Sequence, residues 1–520
     1  MKLTLCKVAA MGGLAALLTL AAQPAPAVGR APRPTALDRS PGRQPDWHSC
    51  VRGPEDAAGK ELEAAGARCA EVRVPLDYAR PGGRTLSVAI ARIRATDTRH
   101  RIGTLVVNEG GPADPVIDFL PARRAALREV GARFDLVGLD PRFTGRNTPL
   151  DCGWPTGTYF RSAGRDRAGF RRMAAFERDL AARCRGRLGG LLGYASTRNA
   201  ARDLDLVRAA LGERRISFLG ISYGSYLGEV YTAMFPGRTD RVVLDGVHEP
   251  RHLAPWPEYG TERVNEDALR HWASWAASRN AEFGLGGTAD AVLATIGRIQ
   301  AAATARPLSV GPYRLDGHVL PLVVYGVLGE DREEVDEGIA VMFRTLKRAA
   351  ETGRAEPDAG LAELLTLVLT GEYSAYASTQ TAYLCADTPG PRDPEVFWRA
   401  IQRSRPLHPL FGPLLNNTTP CPFWPAPRER PTVVANDIPA LLVNATGDPR
   451  VPYTEARTMH ASWPRSRLVT VEGSYRHAVY GVDYKNACVN DTVNRYLENG
   501  RLPAADLTCP AARAVRGSSR

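Results

Sequence analysis

The sequence lacks the patterns that mark several common classes of protein. Beyond residues 8–22, no apolar run approaches the roughly 20 residues that a membrane-spanning helix needs. No CxxC or HxxxH spacing indicates a metal site. The formal charge is +11, but the arginines are scattered among acids and alanines and form no basic stripe with interleaved aromatics. We therefore expect no transmembrane segment in the mature protein, no metal or other cofactor and no nucleic-acid partner. The charge leaves open an association with anionic cell-wall polymers.

The amino-terminal residues are typical of an export signal. Two lysines stand in residues 1–7, residues 8–22 are apolar, and Ala25-Pro26-Ala27 offers the small residues that a signal peptidase reads. A run of 15 apolar residues is too short for a membrane anchor. The pattern predicts a signal peptide over 1–27, a disordered Pro- and Arg-rich leader over 28–45, and a secreted protein. It does not indicate an oligomeric state.

Removal of the signal peptide would take away Cys6 and leave an even number of cysteines, which in an exported chain favours disulfides over a metal site. Successive neighbours enclose loops of about 18 to 36 residues, lengths that local bridges close readily. We expect four sequential pairs: Cys50 with Cys69, Cys152 with Cys184, Cys385 with Cys421, and Cys488 with Cys509.

Strand and helix patterns alternate in two separate parts of the chain, which predicts an α/β fold with a mainly parallel sheet flanked by helices. The first part, 46–248, opens with two alternating runs that predict an antiparallel pair; the second part is 431–520. Continuous apolar runs predict buried strands over 103–108, 134–139, 217–221, 242–244, 440–444 and 468–471, with helices over 199–211, 223–235 and 487–497. The intervening stretch 249–430 has helical patterns and no buried-strand runs. It predicts a mostly helical cap over the carboxyl edge of the sheet.

The pentapeptide Gly220-Ile221-Ser222-Tyr223-Gly224 follows one of these strands and begins a helix. Strand, serine and helix in this order are typical of a nucleophile elbow, in which the flanking glycines let strand and helix pass each other. The alternative is a serine in an ordinary helix-capping turn. The pattern predicts Ser222 as a nucleophile.

An activated serine needs a base and a group that orients the base, and in elbow folds these follow in the order acid, histidine. His477 lies in a loop after strand 468–471, whereas His460 lies in a helical stretch and is better explained by packing. Asp448 follows strand 440–444 and is expected to orient His477, with Asp245 as the competing acid. We predict a triad of Ser222, His477 and Asp448.

The oxyanion of an acyl-transfer intermediate needs two backbone donors. One is expected from the N–H of Tyr223. The other is expected from the glycines after strand 103–108, with Gly111 preferred over Gly110.

With these motifs the chain resembles the secreted tripeptidyl aminopeptidases and related exported peptidases of the proline-iminopeptidase group, within the α/β-hydrolase fold. The matching stretches include Asn108-Glu-Gly-Gly-Pro112, the elbow, Thr446-Gly-Asp-Pro449 and His477-Ala-Val-Tyr-Gly481, and together with others they span nearly the whole mature chain. The resemblance implies the same triad, peptide substrates and a helical cap that limits the substrate to a free amino end.

The chain departs from the family pattern at two places. The oxyanion loop has Glu109 where the family usually has proline, and Ala113-Asp114-Pro115 in place of a glycine-rich continuation. Phe143 replaces a glycine in a second motif. An acidic side chain near the oxyanion would oppose negative charge there, so rate or substrate choice is expected to differ.

An aminopeptidase also needs anionic groups for the substrate ammonium. Glu109 and Asp387 are the candidates, and the run Glu330 to Glu337 is better explained as a solvated helix face. Two other functions remain open: a secreted carboxylesterase or lipase with the same triad, and an inactive, hydrolase-like binding protein.

Overall fold

The computed structural model describes residues 44–253, 256 and 258–512. The signal peptide expected over 1–27 and residues 28–43 of the expected leader lie outside the described residues. Nine strands form one sheet in the order β1-β2-β4-β3-β5-β6-β10-β11-β12. These strands are β1 (Ala67–Pro75), β2 (Thr85–Ile93), β3 (Gly103–Asn108), β4 (Phe134–Leu139), β5 (Ile216–Ile221), β6 (Thr239–Asp245), β10 (Ala440–Ala445), β11 (Ser466–Glu472) and β12 (Leu507–Pro510).

The sheet is mainly parallel, as the sequence predicts. β2 pairs antiparallel with both β1 and β4, and every other neighbouring pair is parallel. β6 pairs directly with β10, so the two parts of the chain join at the middle of one sheet. The carboxyl ends of β3, β5, β6, β10 and β11 therefore meet at one edge.

Helices cover both faces of the sheet, and others form most of the chain between β6 and β10. In chain order they are α1 (Ala57–Ala64), α2 (Leu120–Leu127), α3 (Arg167–Leu188), α4 (Thr197–Ala210), α5 (Tyr223–Met234), α6 (Pro250–Leu253), α7 (Glu262–Ser278), α8 (Asn280–Phe283), α9 (Ala289–Ala305), α10 (Leu320–Val327), α11 (Glu333–Thr352), α12 (Ala359–Leu369), α13 (Ser374–Asp387), α14 (Glu395–Ser404), α15 (Gly412–Leu415), α16 (Tyr453–Ser462) and α17 (Ala487–Asn499). Short 3₁₀ helices cover Ile117–Phe119, Arg128–Arg133, Gly189–Tyr194, Gly371–Tyr373 and Cys421–Phe423.

Alternation along the strands divides the core into two layers, one on each face of the sheet. On one face, Phe218 and Leu244 pack with residues of α4 and α5. On the other face, Leu219 and Val243 pack with residues of α2 and α17. All four side chains are fully buried, and each such side chain stabilises the fold by about 1.5 to 3 kcal/mol. The two layers hold the elbow strand β5 from both sides.

The stretch between β6 and β10 is mostly helical, and its helices α7 to α12 and α15 pack around a separate core that includes Leu269, Ile296, Phe343 and Leu365. It also contains a small sheet in the order β8-β7-β9, from β7 (Leu308–Val310), β8 (Tyr313–Leu315) and β9 (Arg354–Ala355). Strands of two or three residues are too short to show a period of alternation in sequence, so the sequence did not predict them.

A second segment, 140–196, also leaves the sheet and contacts this helical stretch. The N–H groups of Cys152 and Trp154 donate to side chains of α13, at 3.1 and 2.7 Å. Gly157 N–H donates to the carbonyl of Leu367 in α12 at 3.0 Å. The cover over the carboxyl edge is therefore built from two parts of the chain, of which the sequence indicated only the later one.

The eight cysteines among the described residues are joined in the four sequential pairs expected from their spacing. Cys50–Cys69 ties the start of the described chain to β1, and Cys488–Cys509 ties α17 to β12. Within the described part of the chain, no helix is long and apolar enough to cross a membrane.

Candidate active site

Ser222 stands in a strained turn between β5 and α5. Its φ is 55° and its ψ is −126°, a conformation that non-glycine residues rarely adopt. Its N–H donates to the carbonyl of Asp245 at 2.8 Å. A Cβ on Gly220 would lie 2.2 Å from the carbonyl oxygen of Gly224, and a Cβ on Gly224 would lie 2.4 Å from that of Asn108. The two glycines are therefore required for the turn that holds this serine, as the pentapeptide predicts.

His477 and Asp448 come from the loops after β11 and β10 and form a hydrogen-bonded pair. The imidazole Nδ1 lies 2.9 Å from Asp448 Oδ2 and 3.2 Å from Oδ1. The buried Asp448 carboxylate also accepts the N–H groups of Arg450 and Val451, at 2.8 and 3.0 Å. The two N–H groups and the imidazole fix the carboxylate, and the carboxylate in turn orients the imidazole ring through Nδ1.

The pKa of His477 reflects two opposing influences. Burial lowers it, but the charge and hydrogen bond of Asp448 outweigh burial, so that the pKa lies above its ordinary value of 6.5. The backbone of His477 is held from the helical cover, since its N–H donates to the carbonyl of Gly329 at 2.8 Å.

One cavity of about 390 Å³ joins the serine and the histidine. Ser222 and His477 both line it, and a Cβ on Gly246 would lie 3.0 Å from His477 Cε1 and 3.6 Å from the backbone nitrogen of Ser222. Much of the remaining lining is apolar and comes from 157–160, α10, α12 and α13, and His248 and Arg450 add polar side chains to it. The structure thus brings the three residues of the predicted triad to the same edge of the sheet, under a cover of helices.

The loop after β3 runs beside the elbow. Gly110 and Gly111 have φ values of 110° and 104°, in the region that favours glycine. A Cβ on Gly110 would lie 3.1 Å from the backbone nitrogen of Tyr223. Gly111 lines the cavity, and its carbonyl accepts a hydrogen bond of 2.7 Å from Gln380 in α13.

Asp245, the competing acid, has a different place from Asp448. It is fully buried at the end of β6, and its Oδ2 accepts the N–H groups of Val479 and Tyr480, at 2.8 and 2.7 Å. Burial raises its pKa to about 6. The carboxylate therefore holds the backbone of the loop that carries His477.

The two carboxylates expected to bind a substrate ammonium have other partners. Glu109 forms a two-point ion pair with Arg123. Asp387 lies beneath the elbow, where Thr197 donates its N–H to one oxygen at 2.8 Å and its hydroxyl to the other. That hydroxyl also contacts the phenol of Tyr223 at 2.6 Å. Neither Glu109 nor Asp387 is among the described residues that line the cavity with Ser222.

Two other carboxylates do line this cavity: Asp114 and Glu258. Burial raises the pKa of both. Asp114 hydrogen-bonds with Tyr376 and Glu258 with Tyr325, while Oε2 of Glu258 is buried without a hydrogen-bond partner among the described residues. Sequence reasoning identified Asp114 only as a departure from a motif. It missed Glu258, which follows Pro and Trp in a stretch with no period or motif.

Comparison with known proteins places these features in a family. A model of the α/β hydrolase fold matches residues 103–282, and a model described as TAP-like protein matches 408–509. The tripeptidyl aminopeptidase of Streptomyces lividans is 32% identical over 484 residues, which cover 89% of this chain and 86% of that protein. Serine protease Hip1 of Mycobacterium tuberculosis is 27% identical, with 85% and 87% covered. Carboxylesterase B of the same species is 29% identical, with 90% of each covered. The chain therefore belongs to the tripeptidyl aminopeptidase-like α/β-hydrolases and is a serine peptidase.

Proposed function

We propose that this peptidase releases short peptides from the free amino ends of its substrates, with Ser222 as nucleophile, His477 as base and Asp448 as the group that orients the base. The observation that carries the proposal is the cavity itself. It holds the serine and the histidine together with two half-buried carboxylates, and its volume of about 390 Å³ is small. Ligand pockets run from roughly 300 to 1,000 Å³, so this one suits a peptide of a few residues.

In the proposed reaction, His477 takes the proton of the Ser222 hydroxyl as Oγ attacks the scissile carbonyl. The imidazolium then returns that proton to the leaving amine, and an acyl-enzyme forms. Water deprotonated by His477 hydrolyses the ester and regenerates the serine. Asp448 stabilises the imidazolium and fixes its tautomer through Nδ1.

The oxyanion of each tetrahedral intermediate is proposed to accept the N–H groups of Tyr223 and Gly111. Gly110 is the weaker alternative, because its N–H already donates to Asn108 Oδ1 at 3.2 Å. Tyr223 N–H follows the nucleophile directly, and the close approach of Gly110 to it supports a shared pocket for the oxyanion.

We assign the amine site to Glu258 and Asp114 in place of Glu109 and Asp387. Both line the cavity, and a carboxylate with a raised pKa gains most from a nearby ammonium, since the positive charge favours its ionised form. The unpartnered Oε2 of Glu258 leaves an acceptor for an ammonium N–H.

Export is proposed on separate grounds. Four disulfides are typical of proteins that fold in oxidising compartments, and the amino-terminal pattern supports a signal peptide. Fractionation of a culture that expresses the full chain, followed by amino-terminal sequencing of the extracellular protein, tests both points. Retention of residues 1–27 in the folded protein would contradict them.

The enzymatic test compares the mature protein with Ser222→Ala on fluorogenic tripeptides that carry a free or an acetylated amino end, alongside short-chain esters. We expect turnover of the free peptides alone, and none by the variant. Equal turnover of free and acetylated peptides would contradict the aminopeptidase proposal. Turnover of esters alone would favour the second candidate, a carboxylesterase, which is kept because one relative at 29% identity carries that name. No Ser222-dependent turnover would support the inactive binding protein.

The amine site has its own test. Glu258→Gln keeps the shape of the side chain and removes its charge, so we expect a higher KM for free peptides, by about tenfold for the loss of one charged hydrogen bond. Glu351→Gln, at an exposed glutamate of α11, is the matched control. An unchanged KM in Glu258→Gln would remove this residue from the amine site.

A further inference from the structure

We propose that Glu109 and Arg123 form a clamp that sets the position of His477 from the oxyanion loop; this inference rests on the proposed catalytic role of His477. Glu109 is the first residue of the proposed oxyanion loop. It follows β3 directly, whereas Arg123 lies in α2. Neither residue touches the histidine ring, so both are positioning residues.

The clamp is defined by three hydrogen bonds of one guanidinium. Arg123 Nε and Nη2 donate to the two oxygens of Glu109 at 2.7 and 2.5 Å, and Nη1 donates to the carbonyl of Tyr480 at 2.7 Å. The side chains of Glu109 and Arg123 are only 7% and 13% exposed. A planar guanidinium with two parallel bonds to a carboxylate is a rigid unit, so its third bond has a defined direction.

That third bond reaches the histidine loop three residues after His477. The preceding two peptide units of the same loop are also held, because Asp245 accepts the N–H groups of Val479 and Tyr480. The loop needs such restraint: Ala478 has a φ of 63°, a left-handed conformation that a residue with a Cβ keeps only when its surroundings enforce it. The clamp and Asp245 together supply that enforcement.

Charge explains why the clamp contains a glutamate. Arg123 lies near the buried Asp245 carboxylate, and each stabilises the charge of the other. Glu109 supplies a second negative charge in direct contact with the guanidinium. The arginine thus joins the loop that carries Gly111 to the loop that carries His477, and fixes the distance between the proposed oxyanion donors and the base.

The experiment uses the full mature chain and two readouts. The first is the rate at which a fluorophosphonate labels Ser222, which depends on the base but not on an amine site. The second is the pair kcat and KM on a free tripeptide. The variants are Glu109→Gln, Arg123→Met and Arg123→Lys. The control is Glu213→Gln, which breaks a similar ion pair with Arg101 (2.5 Å) at the opposite end of β3.

We expect Glu109→Gln to lower both the labelling rate and kcat by about tenfold, with KM nearly unchanged, because a small misplacement of a reacting group costs about this much or more. Arg123→Met should lose more, and Arg123→Lys should recover part of the loss, since a lysine can reach the carbonyl or the carboxylate but not all three acceptors. Glu213→Gln should leave both readouts as in the wild type.

Three results would overturn the clamp. Wild-type labelling by folded Glu109→Gln is the first. The second is a rise in KM confined to free amines with unchanged labelling, which would return Glu109 to the amine site. The third is an equal loss in Glu213→Gln, which would indicate general destabilisation. Failure of the proposed function is distinguishable, because it would show in the wild-type protein itself. Loss of Ser222-dependent labelling there would contradict the catalytic role of His477, whereas intact labelling without turnover of free peptides would contradict the aminopeptidase proposal alone.

Discussion

At the scale of single residues, the site depends on side chains that are held before any substrate arrives. Asp448 accepts two backbone N–H groups as well as the imidazole, and Asp387 supports the hydroxyl that contacts Tyr223. Such preorganisation removes the need to reorient dipoles during the reaction. The consequences can be measured one residue at a time.

The pKa of His477 predicts the pH dependence of activity. The base must be neutral to accept a proton, and Asp448 holds its pKa above 6.5. We therefore expect kcat/KM to rise with pH through a midpoint above 6.5. In Asp448→Asn the rate should fall by about three to four orders of magnitude, and the midpoint should move to lower pH. His460→Gln, at the other histidine of the second part, is the control; a moved midpoint in that variant would contradict the assignment.

Gly110→Ala tests the close approach beside the elbow. The added Cβ would lie 2.7 Å from the carbonyl of Ile221, at a φ of 110°. We expect a loss of stability of about 1 to 3 kcal/mol and a loss of most activity. The matched control is Gly82→Ala, where a Cβ would meet no atom within 4 Å. Urea unfolding and kcat measure the two effects, and retention of full activity in Gly110→Ala would argue against this packing.

At the scale of elements, apolar runs predicted the inner strands well. β3 and β4 begin and end at the residues that their continuous apolar runs indicate, because strands buried on both faces leave a run with sharp polar or glycine ends. Edge strand β12 was missed, since its Leu507 to Pro510 has no run and ends in proline. The cover formed by 140–196 was missed because its loops are stabilised by distant α12 and α13, which no local pattern reveals.

The site could be predicted in part for the same reason. Ser222 follows β5 directly, and Asp448 and His477 lie in the loops after β10 and β11, so the predicted strands located these three residues. The place of Glu258 depends on how the cover folds, and the pairing of Glu109 with Arg123 depends on how α2 packs on the sheet; only the structure supplies that information.

One disulfide offers a test of an element far from the cavity. Cys488–Cys509 ties α17 to β12 across a separation of 21 residues. Replacing both cysteines with alanine should lower the free energy of unfolding by about 3 kcal/mol, as expected for a loop of this length. Because neither cysteine lines the cavity, kcat should change little. A large fall in kcat for protein that remains folded would show that the sheet edge and the site are coupled.

At the scale of the whole molecule, buried acids set the response of stability to pH. Burial raises the pKa of Asp140 and Asp245 to about 6 and that of Asp387 to about 7. An acid whose pKa is higher in the folded than in the unfolded chain favours folding while it is protonated. This stability is lost as pH rises through the folded pKa. We therefore expect these groups to lower the free energy of unfolding between about pH 4 and pH 7.

The measurement is urea unfolding at pH 5 and at pH 8 for the wild type and for Asp387→Asn. The variant cannot ionise at this position, so it should lose less stability between the two values. Glu351→Asn, at an exposed position, should behave as the wild type does. An identical pH response in Asp387→Asn and the wild type would contradict the role of this carboxyl.

The four disulfides follow one another along the chain without crossing. When a polypeptide enters an oxidising compartment amino end first, the first cysteine of each pair is followed along the chain by its own partner before any other cysteine of the four pairs. Oxidation in the order of arrival then yields the native set directly, with no need to reshuffle wrong pairs. We therefore expect that production in an oxidising host compartment needs no added disulfide isomerase.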